Sequence, residues 1–185
     1  MSTISFPAFT TVTTERLVLR QITVDDANEM FALRSNPEIM KYIPREMPKT
    51  VEDAIKHIAF MEDLYQKNEC MNWAICLKED NVLIGNIGYF RMQAENHRAE
   101  IGYMLSTDFH GKGIMQEALS AILKFGFDEI KLHSIEAVTD PENFSSWMLL
   151  EKNGFTREGH FKEDTFWQGE YLDSYVYSLL QPKQS

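Results

Sequence analysis

Cysteine is scarce in this chain. Only Cys70 and Cys76 occur in 185 residues. With no other Cys nearby they form no metal framework, and two free thiols suit a reducing compartment. Cys76 sits in an apolar, strand-like run and is expected to be a buried small hydrophobe. His57, His97, His133 and His160 show no mutual ligand spacing, so no metal is expected. Long apolar runs are missing too. None approaches the roughly 18 residues that span a bilayer, which argues against a membrane partner. Met1–Pro7 lacks the basic and apolar segments of a signal peptide, so a cytoplasmic protein is expected. Positive charge is in deficit, with 18 Lys and Arg against 28 Asp and Glu and a net charge of −10. A general nucleic-acid binder would carry a basic stripe instead, so no nucleic-acid partner is expected. An acidic surface of this kind serves solubility and favours a cationic acceptor. Repeats, low-complexity tracts and linkers are also lacking. The chain reads as one domain over 1–185 with a core of about 14–180.

What the chain does have is a glycine turn between a strand-like and a helix-like run. Glu100-Ile101-Gly102-Tyr103-Met104-Leu105 leads to Phe109-His110-Gly111-Lys112-Gly113-Ile114-Met115. Two glycines two apart let several N–H groups converge on one spot. The helix that follows adds its own unsatisfied N–H groups and the positive end of its dipole. Such a turn suits a phosphate or pyrophosphate. It is not a Walker loop, because Ile114-Met115 follows in place of Lys-Ser/Thr. Nor is it a dinucleotide fingerprint, which needs a third glycine and an acidic residue about 20 positions on.

Further along, Asp140-Pro141-Glu142-Asn143-Phe144-Ser145-Ser146 runs into Glu151-Lys152-Asn153-Gly154-Phe155. The glycine turn, Asn143-x-x-Ser146 and Lys152-x-Gly154-Phe155, in this order and spacing, resemble the GCN5-related N-acetyltransferase family. So does the opening Thr14-Glu15-Arg16-Leu17-Val18-Leu19-Arg20. The resemblance runs from about Thr14 to Leu180. Within the family it is most similar to the branch that acetylates the N-termini of ribosomal proteins.

Periodicity agrees with that fold. Strands are expected at Leu17–Ile22, Trp73–Leu77, Val82–Met92, Ala99–Leu105, His133–Thr139, Phe155–Trp167 and Tyr171–Leu180. The last two make a hairpin with its turn at Gln168-Gly169. Helices are expected from Asp25 or Asp26 to Arg34, after a Thr50–Asp53 capping box, after the glycine turn, and over Ser145–Lys152. The fold class is α/β (α+β), a mixed, mostly antiparallel seven-stranded sheet with helices on both faces.

The resemblance implies acetyl-CoA as co-substrate, an amine as acceptor and no metal. It implies that Met104 and Leu105 meet the pantetheine arm where Ala99–Leu105 and His133–Thr139 splay apart. His110, Gly111, Lys112, Gly113, Ile114 and Met115 would cradle the pyrophosphate, although His110 and Met115 depart from the family's usual residues. Asn143 would bond the pantetheine, Ser146 would quench the leaving thiolate, and Lys152 would lie at the adenosine side. Asn143 and Ser145 are equally good helix caps, and Lys112 and Lys152 could serve as a solvated lysine and a dipole partner. Glu100 is the candidate base, with a surface glutamate paired to Arg98 as the plainer reading. Glu163, Asp164 or water are alternatives, since Thr165 stands where relatives hold a carboxylate. Trp167, Tyr171 and Asp173 would border the acceptor pocket, unless they belong to the core. The acceptor could be a protein N-terminus or a small amine such as a polyamine, amino acid or antibiotic. A non-catalytic acyl-CoA-binding module is the other class. The sequence leaves a homodimer open.

Overall fold

Alternation along the strands sorts two apolar faces, and helices cover both. The computed structural model describes residues 4–182. β1 (Val12–Thr13), β2 (Leu17–Gln21), β3 (Met71–Leu77), β4 (Leu83–Gln93), β5 (Arg98–Leu105), β6 (Ser134–Thr139), β7 (Thr156–Trp167) and β8 (Glu170–Leu180) form one sheet. Its order is β1-β2-β3-β4-β5-β6-β8-β7. Among the described residues, only β5 and β6 pair in parallel. The eight strands are one more than expected. The addition is β1, which at two residues is too short to leave an alternation of its own.

Leu17, Leu19, Met71, Trp73, Ile75, Ala99, Ile101 and Leu105 form one face. Against it lie α4 (Ile114–Phe125), with Ile114, Ala118, Leu119 and Ile122 inward, and Leu150 of α5 (Phe144–Lys152). Each leucine or isoleucine among them stabilises the fold by about 1.5–3 kcal/mol when fully buried. The opposite face presents Ala74, Cys76 and Leu83. It meets Ala27, Met30 and Leu33 of α1 (Ala27–Arg34) and Ala54 and Ile58 of α3 (Val51–Gln66). Between these helices, Pro37 opens the short α2 (Pro37–Met40), and the Asn36 side chain accepts from the Glu38 N–H.

Caps fix where the helices begin. Thr50 and Asp53 form the expected reciprocal box at the start of α3. Asp26 holds the expected N-cap position of α1, but its side chain makes no cap bond to that helix. A 3₁₀ turn over Val24–Asp26 precedes the helix. The Asp26 carboxylate reaches back to accept the Thr23 N–H at 2.8 Å. It also pairs with Arg20 at 2.7 Å, which holds the carboxyl below its ordinary pKa against the opposing effect of burial. At the far end of α4, a Cβ on Gly126 would sit 2.2 Å from the Tyr89 hydroxyl, which donates to Ile122 O at 2.7 Å. The tyrosine fills the space that a side chain there would need. The β7–β8 hairpin turns at Gln168 and Gly169, with φ of 48° and 93°, the positive values that a tight two-residue hairpin requires.

Candidate active site

The β5–β6 pairing stops after three rungs. Arg98, Ala99 and Glu100 pair with Ser134, Ile135 and Glu136. Beyond it, Ile101–Leu105 bond only to β4, and Ala137–Thr139 only to β8. The two strands therefore part directly after Glu100, leaving backbone groups on each inner edge. Met104 and Leu105 stand on that open edge, as expected. Leu105 O lies 3.0 Å from His110 Nε2, so the ring folds back onto the strand and anchors the turn.

Glu100 occupies the last paired rung, beside Glu136. Its partner is Arg91 at 2.7 Å, whereas Arg98 pairs with Glu136. This corrects the expected Arg98 partner. A bulge between Phe90 and Gln93, with Arg91 at φ 50°, reaims the Arg91 side chain at the carboxylate. Burial raises the Glu100 pKa, Arg91 opposes the rise, and the Glu136 charge adds to it. A carboxylate with its pKa raised is better matched to taking a proton near neutral pH.

On the other face of β5, Tyr103 meets the start of α5. Its hydroxyl is 3.0 Å from Ser146 Oγ. Burial pushes the phenol up to about 12, with the Ser146 hydrogen bond acting the other way. Sequence reasoning missed Tyr103, because a tyrosine in a strand reads as core. Asn143 caps α5, its side chain accepting the Ser146 N–H at 3.2 Å. The amide that caps the helix also fixes Ser146.

The glycine turn has the geometry of an anion cradle. Gly111 and Gly113 take φ of 71° and 73°, which glycine adopts without strain. Gly113 begins α4 with no side-chain cap. The amides of Ile114 and Met115 thus lie in the uncapped first turn, where N–H groups lack helical acceptors. Arg16 braces the turn from outside. It donates to Lys112 O at 2.9 Å and pairs with Glu117 at 2.7 Å. Glu117 also accepts from the Thr14 hydroxyl and the Arg16 N–H, and these donors hold its pKa low despite the cost of burial. Arg16 was legible only as part of the opening motif. Lys112 is exposed, its ammonium 5.4 Å from the centre of the Phe109 ring, and Lys152 is exposed at the end of α5. The uncapped turn and the open strand edges fit the pyrophosphate and pantetheine arm of a CoA thioester.

β8 pairs with β6 only up to Tyr175, opposite Thr139. Trp167 and Tyr171 therefore lie on the part of the hairpin that overhangs the C-terminal end of β6. The Phe166 and Tyr171 rings meet at a tilt of 53° with centroids 4.9 Å apart, and both are largely exposed. Asp173 is placed otherwise than a free acceptor ligand. His160 Nε2 lies 2.7 Å from one of its oxygens, and the Glu163 N–H donates to the other at 2.9 Å. It closes the bulge between Phe161 and Thr165, which carries Glu163 and Asp164. Among the described residues, no cluster of three or more His, Cys, Asp or Glu could hold a metal ion, and no helix is long and apolar enough to cross a membrane.

The sequence pattern of the acetyltransferase (GNAT) domain matches residues 16–156. The chain is 35% identical over 176 residues to "Uncharacterized N-acetyltransferase YoaA" of Bacillus subtilis, covering 95% of this chain and 99% of that protein. It is 27% identical over 172 residues to the spermidine N(1)-acetyltransferase of Vibrio cholerae, covering 91% and 95%. The solved ribosomal-protein-S5-alanine acetyltransferase of Vibrio fischeri superposes with a TM-score of 0.82 at 24% identity, covering 92% and 96%.

Proposed function

We propose that this chain, which belongs to the acetyltransferase (GNAT) family, transfers an acetyl group from acetyl-CoA to the N-terminal α-amine of a protein. The observation that carries this reading is the division of labour across β5. Glu100 stands on the face toward α1 and α3, and the Tyr103–Ser146 pair stands on the face toward α4 and α5. The gap opens between them. Transfer to an amine needs a base on one side and a hydrogen-bond donor for the departing sulfur on the other. Glu100 receives the ammonium proton, directly or through water. Ser146, backed by the Tyr103 hydroxyl, donates to the sulfur as the thioester opens. The inner-edge amides of β5 are fixed dipoles of the kind that stabilise an oxyanion. Acetyl-CoA supplies the activated acyl group.

A glutamate is better matched to an α-amine than to a lysine side chain, because the amine pKa values are about 8 and about 10.4. The Vibrio fischeri protein, whose name gives a ribosomal protein as its substrate, supports this reading through its fold. The Vibrio cholerae protein supports a second one, a polyamine acceptor. Thiol release with a panel of free and N-terminally blocked peptides, spermidine and aminoglycosides separates them. We expect release on free N-termini and little on blocked ones. Release on spermidine or aminoglycosides with none on any peptide establishes the small-amine reading instead.

A further inference from the structure

Alternation places Glu100, Gly102 and Met104 on the α1–α3 face of β5, and the register sets Phe90, Gly88 and Asn86 of β4 opposite them. Glycine therefore stands on both sides of the middle rung, Gly88 against Gly102. The two positions are filled differently. A Cβ on Gly88 would lie 2.5 Å from Met71 O and 2.8 Å from Asn72 Oδ1, so β3 occupies that space. A Cβ on Gly102 would meet only the Phe90 ring within 4 Å, at 3.2 Å and 3.5 Å, its chain neighbours Ile101 and Tyr103 aside. No described side chain of α1 or α3 comes that close. The result is a recess floored by Gly102, walled by Phe90 and ended by Glu100. All three residues are half-buried, so the recess is reachable from solvent. Beyond Glu100, β5 parts from β6, so Gly102 also borders the gap.

Asn86 lies at the other end of the recess. It is 5% exposed and sits between Ala74 of β3 and Met104 of β5, both of which pack in the apolar cluster beneath α1 and α3. Its Nδ2 donates to Asn72 Oδ1 at 3.1 Å. Its Oδ1 is buried and has no hydrogen-bond partner among the described residues. An amide oxygen left unmatched in such a place costs stability, and folding alone does not account for it. Diagonal neighbours on adjacent strands stand about 7–8 Å apart. Residues two apart on one strand are separated by about 6.8 Å. Asn86 and Glu100 are thus each one such step from Gly102, and a group resting on Gly102 is within reach of both.

We propose that the acceptor amine sits over Gly102, giving one N–H to Asn86 Oδ1 while another proton leaves toward Glu100. This rests on the acetyl-transfer reading above and adds an acceptor-binding residue to it. A neutral oxygen suits the place. A second carboxylate there would hold the ammonium protonated, whereas an amide orients the nucleophile and leaves its basicity nearly unchanged. Met104, beside Asn86, is the movable neighbour through which the oxygen is reached, since an unbranched methionine repacks readily.

The test measures KM and kcat on a short peptide with a free N-terminal alanine, whose side chain donates nothing. Asn86→Leu and Asn86→Asp are close to the native size, and both lose the Nδ2 donor to Asn72. Only the leucine loses the acceptor. Asn86→Leu should raise the peptide KM about five- to tenfold, the range of one hydrogen bond. The acetyl-CoA KM should stay as in the wild type. Asn86→Asp should keep the peptide KM at or below the wild-type value. Equal rises in the two variants would assign the effect to the lost Asn72 bond and overturn the proposal, as would a wild-type KM in Asn86→Leu. Gly102→Ala probes the recess without touching the amide. Its methyl takes the place of the amine and should lower kcat/KM on the peptide by about tenfold or more. Acetyl-CoA should still raise its melting temperature as it does that of the wild type. Adding Phe90→Leu relieves the contact with the ring and should not restore turnover. Full activity in Gly102→Ala overturns the proposal whatever the Asn86 variants do. If the wild type acetylates spermidine and no peptide, the α-amine reading falls by itself, and the same variants judge the amine subsite with spermidine as the probe.

Discussion

Glu100→Gln should lower kcat on an α-amine substrate by about 10²–10⁴-fold, the usual contribution of a positioned general base. The amide keeps the size and the polar contact to Arg91 but loses the ability to take a proton. Acetyl-CoA affinity should be unchanged, because Glu100 faces away from the Tyr103–Ser146 side of β5. The pH profile carries the sign. The base works when deprotonated, so wild-type activity rises as pH climbs through its pKa. Burial raises that pKa, which places the acid limb above the ordinary glutamate value of about 4.3. The variant should lose this limb and follow only the ionisation of the amine. A variant with full activity at every pH would hand the role to Glu163, Asp164 or solvent.

Gly113→Pro should abolish the thermal stabilisation that acetyl-CoA confers on the wild type. Proline fixes φ near −65° where the chain needs 73°, and it removes an N–H at the mouth of the cradle. Strain of this kind could also harm folding, so Gly113→Ala is the companion variant. Its Cβ would meet Arg16 Nη2 at 3.5 Å, an ordinary contact, and its cost is the positive φ. The alanine variant should fold and bind acetyl-CoA more weakly. A full thermal shift in both variants would remove the turn from the binding site. Ligand-induced stabilisation grows with occupancy, so titrating acetyl-CoA separates weak binding from none.

Features read from neighbours in sequence were legible before the structure. The Thr50–Asp53 box, the Gln168-Gly169 turn and the glycine turn each depend on residues within a few positions, where local chemistry decides. Glu100 could be placed on a strand for the same reason. Its partner could not. Arg98 is two residues away and shares a face with Glu100 under strict alternation. The bulge at Phe90–Gln93 breaks the register on the neighbouring strand and brings Arg91 in instead. Tyr103 with Ser146 depends on a contact across the fold that no periodicity records. Asp173 shows the converse. Its position on the last hairpin was legible, but the bulge that consumes its carboxylate was not.

The brace formed by Arg16 and Glu117 has a consequence for how the cofactor arrives. Glu117 lies in the first turn of α4, beside the spot where a diphosphate would rest. Arg16 neutralises it at contact range, so the docked anion meets a locally balanced patch. Beyond the Debye length, about 8 Å at physiological ionic strength, the chain's charges are screened, but at low ionic strength that length grows well past the reach of the Arg16–Glu117 pair. There the incoming polyanion feels a chain of net charge −10. Encounter is therefore slowed by long-range repulsion while the final complex is held by short-range donors. Added salt screens the first effect more than the second. Up to moderate ionic strength, salt should quicken cofactor capture, the reverse of the behaviour of an enzyme that steers its anionic ligand.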